Sequence, residues 1–218
     1  MALKVPTRQS RAHETRRLLL DAAQNIFGRK GYHDASMDDI VQAADRSKGA
    51  AYFHFPGKGD IFRAVLKRLA DRLERKVHRA VAVETMPIAR LDAALAAVLD
   101  AFTGHRRVAS LALVELVGAG PAFQDMLAEL RLRFRRLIKA QLDEAIQAGA
   151  IEPVNTRLVS LAWFGAINEI VLAWLRHDEA SELKREIPEL RAMLLKSVGV
   201  DPHTRLLTPE DEVRHGHD

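Results

Sequence analysis

The sequence predicts an all-α fold, a three-helix N-terminal unit followed by a larger helical unit, and three observations carry the prediction. Apolar residues recur at helical spacing over residues 15–30, 59–83, 122–148 and 158–175. Capping and breaking residues, Ser36, Ser47, Pro56, Gly57, Gly149 and Pro202 among them, divide these runs. Charge is also uneven: residues 1–80 carry 17 Lys and Arg against 9 Asp and Glu, net +8, while residues 81–218 carry 16 against 20, net −4. A basic head on a slightly acidic body is what a nucleic-acid-binding unit joined to a non-binding one shows.

Lys4, Arg8 and Arg11 stand in a polar leader without periodicity up to about Thr15, either a flexible tail or an arm that adds phosphate or minor-groove contacts. Leu19, Ala22, Ala23, Ile26 and Phe27 then share one helical face, and Gly31 closes that helix. The stretch from Ser36 to Asp60, SMDDIVQAADRSKGAAYFHFPGKGD, organises the rest of the chain. Ser36 is a good N-cap, and Asp39 three residues on can reach back as a shortened capping box, which starts a helix at Met37. Ile40, Val41, Ala43 and Ala44 supply its apolar face. Asp45 and Arg46 interrupt the pattern, and Ser47 caps a short segment from Lys48 to Phe53.

That pattern is helix, tight turn, short helix. A helix-turn-helix sets the N-terminal residues of its second helix against base edges while the first helix crosses the backbone. Ser47, Lys48, Gly49, Ala50 and Ala51 suit that position. Lys48 can donate to a guanine edge or to a phosphate, Gly49 permits close backbone approach, and Ala50 presents a methyl to a thymine methyl. Tyr52 and His54 follow with phosphate-reaching tips, and Ser36 and Arg46 are taken as further contacts. Gly57 with Lys58 behind it makes a helix start able to hold a phosphate. The expected double-stranded DNA contacts are therefore Ser36, Arg46, Ser47, Lys48, Gly49, Ala50, Tyr52, His54 and Lys58.

A long helix from Gly59 to about Val83 places Phe62, Val65, Leu66, Leu69 and Leu73 inward and Arg63, Lys67, Arg68, Arg72, Arg75 and Lys76 outward, and reads as a mechanical link to the second unit. Two shorter helices, 88–102 and 108–117, are separated near Gly104 and end at Gly118 to Pro121. Residues 122–148 form a long amphipathic helix closed by Gly149. Over Leu158 to Leu175 the apolar length approaches a membrane span. Asn168 and Glu169 sit at its middle, however, where a charge would cost on the order of 3 kcal/mol in lipid, so a buried helix with no membrane partner is expected.

That helix has two apolar stripes. Trp163, Ile167, Ile170 and Trp174 make one, and Leu158, Leu161, Gly165, Asn168, Leu172 and Leu175 the other. One stripe should meet its own core and the other a partner. The last helix, 182–198, carries Leu183, Ile187, Leu190, Leu194 and Leu195. The expected homodimer interface, a four-helix bundle across a two-fold axis, takes Leu158, Leu161, Gly165, Asn168, Leu172, Leu175, Leu190 and Leu194. Residues 203–218 are polar and expected to fray.

The chain has 218 residues and no cysteine, which excludes a disulfide framework and a thiolate metal site. Its start, MALKVPTRQSRAHE, lacks the apolar core of a secretory signal, so a cytoplasmic protein is expected.

At Arg17, Leu19, Ala22, Ala23, Ile26, Phe27, Gly31, Ser36, Ile40, Ala44, Ser47, Lys48, Gly49, Tyr52, His54, Phe55, Pro56, Lys58 and Phe62 the sequence resembles the TetR family of one-component bacterial transcriptional repressors. The departures are Asp45 and Arg46 where Gly and Val are usual, Ala51 for a branched apolar residue, and Gly59 for Glu. Asp tolerates a left-handed backbone, so the turn survives Asp45; Arg46 cannot fill a Val pocket and is expected to point outward. Further on, LVELVGAGP (113–121) and WFGAINEIVLAW (163–174) resemble the branch that senses fatty acyl-CoA or other lipophilic molecules.

Other candidates for chemistry are weaker. His203, His215, His217 and Asp218 lack i, i+4 spacing, and no metal site is expected. Asn168 and Glu169 could be catalytic or ligand-binding, or could fix bundle register. Arg131, Arg133, Arg135, Arg136 and Lys139 could grip an anion, or form a solvated face with Glu129 paired to Arg133. Gly118 and Gly120 have no preceding strand and no following Lys, so they form no phosphate loop. No catalytic set assembles, and no cofactor is expected.

The expectation is thus a helix-turn-helix domain over 13–58, a ligand-binding and dimerisation domain over 59–200 and a flexible tail over 201–218. As the resemblance implies, a dimer would repress from a palindromic operator until a small lipophilic inducer, such as an acyl-CoA, releases it. Expected ligand residues are Leu95, Leu99, Phe102, Leu116, Phe123, Leu127, Phe134 and Trp163, with Arg106, Arg107 or the Arg131 to Lys139 face for CoA phosphates. A helical enzyme or carrier of a lipophilic molecule is the alternative.

Overall fold

A computed structural model describes residues 8–103, 106–115, 118–176 and 180–201, and all regular structure among them is helical. Lys4, Gly104, Leu116, His203, His215, His217 and Asp218, together with the side chain of Leu183, lie outside the described residues. The chain divides into two compact units, Met1–Arg72 with His105–Leu130, and Leu73–Gly104 with Arg131–Asp218. The first unit therefore takes in residues 59–72 and 105–130 beyond the 13–58 segment marked by the sequence.

In the first unit α1 (Arg8–Asp34) begins seven residues before Thr15. Arg, Gln, Ala and Glu are adequate helix formers and need no apolar face to extend a helix already anchored further on. Gly31 breaks the helical path inside α1 with φ 78° and ψ 176°, the positive φ that glycine takes without steric cost. Next come α2 (Met37–Ala44), α3 (Lys48–His54) and the start of α4 (Lys58–Ala82), whose first turn accepts at the Gly57 carbonyl from the Asp60 and Ile61 amides.

The expected helix over 108–117 is instead a short α6 (Arg106–Ser110) running into a π turn, Leu111–Glu115, which sets Leu111 fully inside this core. A 3-10 turn, Pro121–Phe123, leads into α7 (Gln124–Gln147).

Four rings centre the first unit. Phe27, Tyr32, Phe62 and Phe123 lie 4.7–5.4 Å apart along the contacts Phe27–Phe62, Tyr32–Phe62, Tyr32–Phe123 and Phe62–Phe123. Leu127 packs on the same core. Phe123 and Leu127, expected as ligand residues, thus pack on the core of the first unit and do not line the cleft of the second: helical periodicity shows that a residue faces inward but not into which core.

Arg68, expected outward, is also drawn in. Its guanidinium donates to Asp21 Oδ1 (2.7 Å), the Leu20 carbonyl (2.9 Å) and Gln24 Oε1 (2.8 Å), and burial pushes its pKa down.

The second unit joins the rest of α4 to α5 (Pro87–Thr103), the larger part of α7, α8 (Thr156–Arg176) and α9 (Ala180–Lys196), with α9 packed on α5 and α8. The Asn155 side chain caps α8 by accepting from the Leu158 amide at 3.0 Å. Of the α8 residues, Trp163, Ile167, Val171 and Trp174 are buried; Val171 takes the core place expected of Ile170, which is only half-buried. Leu158 and Leu161 are exposed, Gly165 likewise, and Asn168, Leu172 and Leu175 are half-buried.

Leu190 and Leu194 correct the interface reading. They are 5% and 4% exposed inside their own unit and cannot also face a partner, whereas Met193 beside them is 54% exposed. Arg133 reaches beyond its own helix as well, pairing with Glu74 of α4 through Nε (2.7 Å) and Nη2 (2.6 Å). Arg90 pairs with Glu144, and Arg191 with the buried Asp92.

Candidate nucleic-acid interface

The presentation of α3 is built from capping chemistry. Ser36 Oγ accepts from the Asp39 amide at 3.1 Å, and Asp39 Oδ2 accepts in return from the Ser36 amide at 3.0 Å, so both orphan donors at the start of α2 are satisfied. Lys30 donates to the other Asp39 oxygen at 2.8 Å. These bonds, that of Lys30 first and those of Ser36 next, hold the Asp39 carboxyl down at a pKa of about 2.

At the far end of α2, Asp45 adopts φ 51° and ψ 54°, and the amides of Asp45 and Arg46 donate to the Gln42 and Val41 carbonyls. Asp45 therefore makes the left-handed cap usually given to glycine. Arg46 turns back to donate to the Asp45 carbonyl (2.6 Å) and is half-buried. After the turn Ser47 Oγ accepts from the Ala50 amide at 3.2 Å and caps α3.

The turn sorts α3 into two faces. Ala51 has no exposed surface, and Phe55, just beyond the helix, is 3% exposed under the Arg16 guanidinium. Ser47, Lys48, Gly49, Tyr52 and Phe53 lie on the outer side, with Ala50 and His54 half-buried between. A Cβ built on Gly49 meets nothing within 4 Å, so nothing inside the chain requires glycine there, although glycine weakens a helix by about 1 kcal/mol against alanine.

Lys48 Nζ bonds Asp38 Oδ2 at 2.8 Å across the turn, and this bond pushes the ammonium pKa up. Lys58, by contrast, turns inward: it donates to the Tyr32 (2.9 Å) and His33 (3.0 Å) carbonyls and lies over the Tyr32 ring. It thereby closes the carbonyl end of α1 at the Gly31 kink, a structural use that the sequence reading did not foresee. The reading also gave no part to Phe53, which is 81% exposed beside His54; its place directly after Tyr52 on a presented helix was the available signal.

In the second unit Val77, Leu91, Ala94, Leu95, Val98, Phe134, Leu137, Ile138, Gln141, Trp163 and Ile167 line an apolar cleft. Leu95, Phe134 and Trp163 are brought there as expected. Leu99 is buried in this unit and Phe102 stacks near Phe134 at 6.2 Å, but neither lines the cleft.

A capped helix pair with an exposed, basic second helix is a helix-turn-helix, and comparison with known proteins agrees. The family model described as bacterial regulatory proteins, tetR family, matches residues 19–65, and that described as tetracyclin repressor-like, C-terminal domain, matches residues 84–178. The chain belongs to the TetR family of transcriptional regulators.

Among relatives, the HTH-type transcriptional regulator AcrR of Shigella flexneri is 27% identical over 201 residues, covering 89% of this chain and 94% of its own. The fatty acid metabolism regulator protein of Bacillus subtilis is 23% identical over 166 residues, 76% and 86% of the two chains. The crystal structure of the transcriptional regulator FadR from Bacillus subtilis in complex with stearoyl-CoA shares the fold, with a TM-score of 0.73 at 22% identity over 82% of this chain and 96% of that one. TetR-family regulators bind DNA and are not enzymes, which sets aside the enzyme alternative. By length and composition α8 could cross a membrane, but one of its faces, with Trp163, Ile167, Val171 and Trp174, is buried in the second unit.

Proposed function

We propose that two copies of this chain pair through α8 and α9, sit on a palindromic operator as a cytoplasmic repressor, and leave it when a lipophilic inducer with an acyl chain, such as an acyl-CoA, enters the second unit. The observation that carries the reading is the presence, in one TetR-family chain, of an exposed α3 surface and an apolar cleft. Ser47, Lys48, Gly49, Ala50, Tyr52 and His54 would meet DNA, with Ser36 and Arg46 beside them and the third N–H of Lys58 left for a phosphate. Pairing is supported by the exposed Leu158, Leu161 and Met193 and by Gly165, where a Cβ meets nothing within 4 Å in its own chain.

The cleft is almost wholly apolar, which suits an aliphatic chain better than a flat polar metabolite. Its enclosed space admits only about one water molecule, so a long chain enters by parting α4, α5, α7 and α8. A ligand that must part helices favours one conformation over another, as release requires, because equal affinity for both would shift nothing. The phosphates of CoA need cations, and the exposed Arg131 and Arg136 lie on α7, whose Phe134, Leu137 and Ile138 wall the cleft. The test is release of operator DNA by acyl-CoAs of increasing length beside free CoA. Release that rises with chain length is expected; release absent at every length, or equal with CoA alone, overturns the acyl reading.

A further inference from the structure

We propose that the ligand of this cleft carries a hydroxyl group on its apolar chain and that Gln141 reads it; the proposal rests on the acyl reading of the cleft given above. Gln141 stands on α7 three and four residues beyond Ile138 and Leu137, so all three project from one helical face into the same space. Apolar side chains of α4, α5 and α8 supply the other walls: Val77, Leu91, Ala94, Leu95 and Ile167. Within that lining Gln141 Oε1 is buried and has no hydrogen-bond partner. Among the lining side chains the other polar group, the indole N–H of Trp163, is already committed to Ser197 Oγ at 3.0 Å.

A buried amide oxygen with an unmet acceptor is a standing cost, and a leucine of similar length would remove it while leaving the wall apolar. A water molecule does not answer it well. Buried waters hold their place through two to four polar partners, and among the side chains that line the cleft only Gln141 and Trp163 carry a polar group. Among ligand groups, a thioester carbonyl and a carboxylate have no donor for Oε1 and could meet only the amide N–H, leaving the buried acceptor unmet. A hydroxyl donates to Oε1 and can also accept from the amide N–H, so it satisfies either end of the side chain. The cleft is therefore built for a chain that is apolar except at one hydroxylated carbon.

The experiment is calorimetric titration of the full-length protein with octadecanoyl-CoA and with hydroxyoctadecanoyl-CoAs in which the hydroxyl is stepped along the chain. In the wild type the proposal expects one narrow range of positions to bind about tenfold more tightly than the plain chain, the weight of one bond that rescues a buried acceptor. In Gln141→Leu the plain chain should bind at least as well as before, and the hydroxyl advantage should fall to within about twofold. Gln141→Met, of similar volume, repeats the measurement should the leucine side chain disturb packing. A wild type without preference at any position, or a preference that survives both substitutions, overturns this inference and leaves the acyl reading standing. Failure of plain and hydroxylated chains alike to bind the wild type overturns the acyl reading and this inference with it.

Discussion

Lys48 Nζ lies 2.8 Å from Asp38 Oδ2, so the first cation of the presented helix is held by a carboxylate of the preceding one. Both side chains are exposed, 65% and 63%, and an exposed pair of this kind is weak and screened by salt. A DNA phosphate or guanine edge would therefore compete for the same ammonium. Lys48→Ala is expected to weaken operator binding, and Asp38→Asn to strengthen it by up to about fivefold at low salt. Tyr52→Phe should weaken binding as well, without unfolding the protein. If Lys48 meets a phosphate, its loss lowers the slope of log affinity against log salt by about 1; if it meets a base, the loss relaxes preference at one operator position. Equal affinity and specificity for all three variants in fluorescence titrations would reject this surface.

Asp39 gives a pH dependence with a definite sign. Its folded pKa of about 2 lies below the ordinary 3.8, so the stabilisation it lends is fully present well above 3.8 and is lost as pH falls from there toward 2. Roughly half should be gone near pH 3. Thermal melting of the wild type and Asp39→Asn should differ at pH 7 and converge on acidification; a gap that stays constant from pH 6 to pH 3 would separate the capping box from the stability of α2.

The interface of α2 and α3 was legible because its signals are local. Ser36, Asp39, Asp45 and Ser47 act on backbone groups within three residues of themselves, and their chemistry decides the geometry almost alone. What the sequence misread depended on which distant surface an element meets. Phe123 and Leu127 continue the apolar period of α7, yet Phe123 joins the rings of Phe62 and Tyr32 and Leu127 packs on the same core rather than on the cleft. On α9 the leucines at 190 and 194 turn toward α5 and α8 while Met193, one position away, stays outside. Lys58 looked like a phosphate ligand at a helix start. Only the path of α1 after Gly31 brings the Tyr32 and His33 carbonyls to it, and nothing within a few residues of Lys58 signals that approach.

Buried charge in the second unit makes a stability prediction. Asp92 is 2% exposed and accepts from Arg191 Nε at 3.0 Å, with a second bond from the same guanidinium. Arg191→Met keeps much of the side-chain volume but removes both charge-assisted bonds from a buried carboxylate. The expected loss is about 3 kcal/mol, in the range for breaking a buried pair from one side. Replacing both residues, Asp92→Leu with Arg191→Met, should recover most of it. Urea unfolding of the single and double variants measures the two values, and a single variant as stable as the wild type would show that the pair contributes nothing.

Gly165 separates pairing from folding. Because a Cβ there meets nothing within 4 Å of its own chain, Gly165→Leu should leave the monomer folded. If the Leu158 and Leu161 face of α8 meets a second copy, the same substitution overpacks a close helix contact and weakens the dimer by about 1 to 3 kcal/mol. Sedimentation at micromolar concentration should show a wild-type dimer and a concentration-dependent shift toward monomer in the variant, with unchanged helical content. A wild type that sediments as a monomer would sink the pairing.

The two tryptophans of α8 allow ligand entry to be watched at one point. Trp163 lines the cleft and donates to Ser197 Oγ, while Trp174, three turns further along, is buried outside the lining. A chain that parts the walls must change the surroundings of Trp163 first, by replacing protein contacts on its ring face or by disturbing its bond to Ser197. An acyl-CoA should therefore shift the emission of the wild type and of Trp174→Phe alike, and the shift should vanish in Trp163→Phe. Phenylalanine keeps the ring but forfeits the bond, so Ser197→Ala serves as a control: it should alter the starting emission yet preserve the ligand-driven change. A response that persists in Trp163→Phe and disappears in Trp174→Phe would place the ligand elsewhere in the unit.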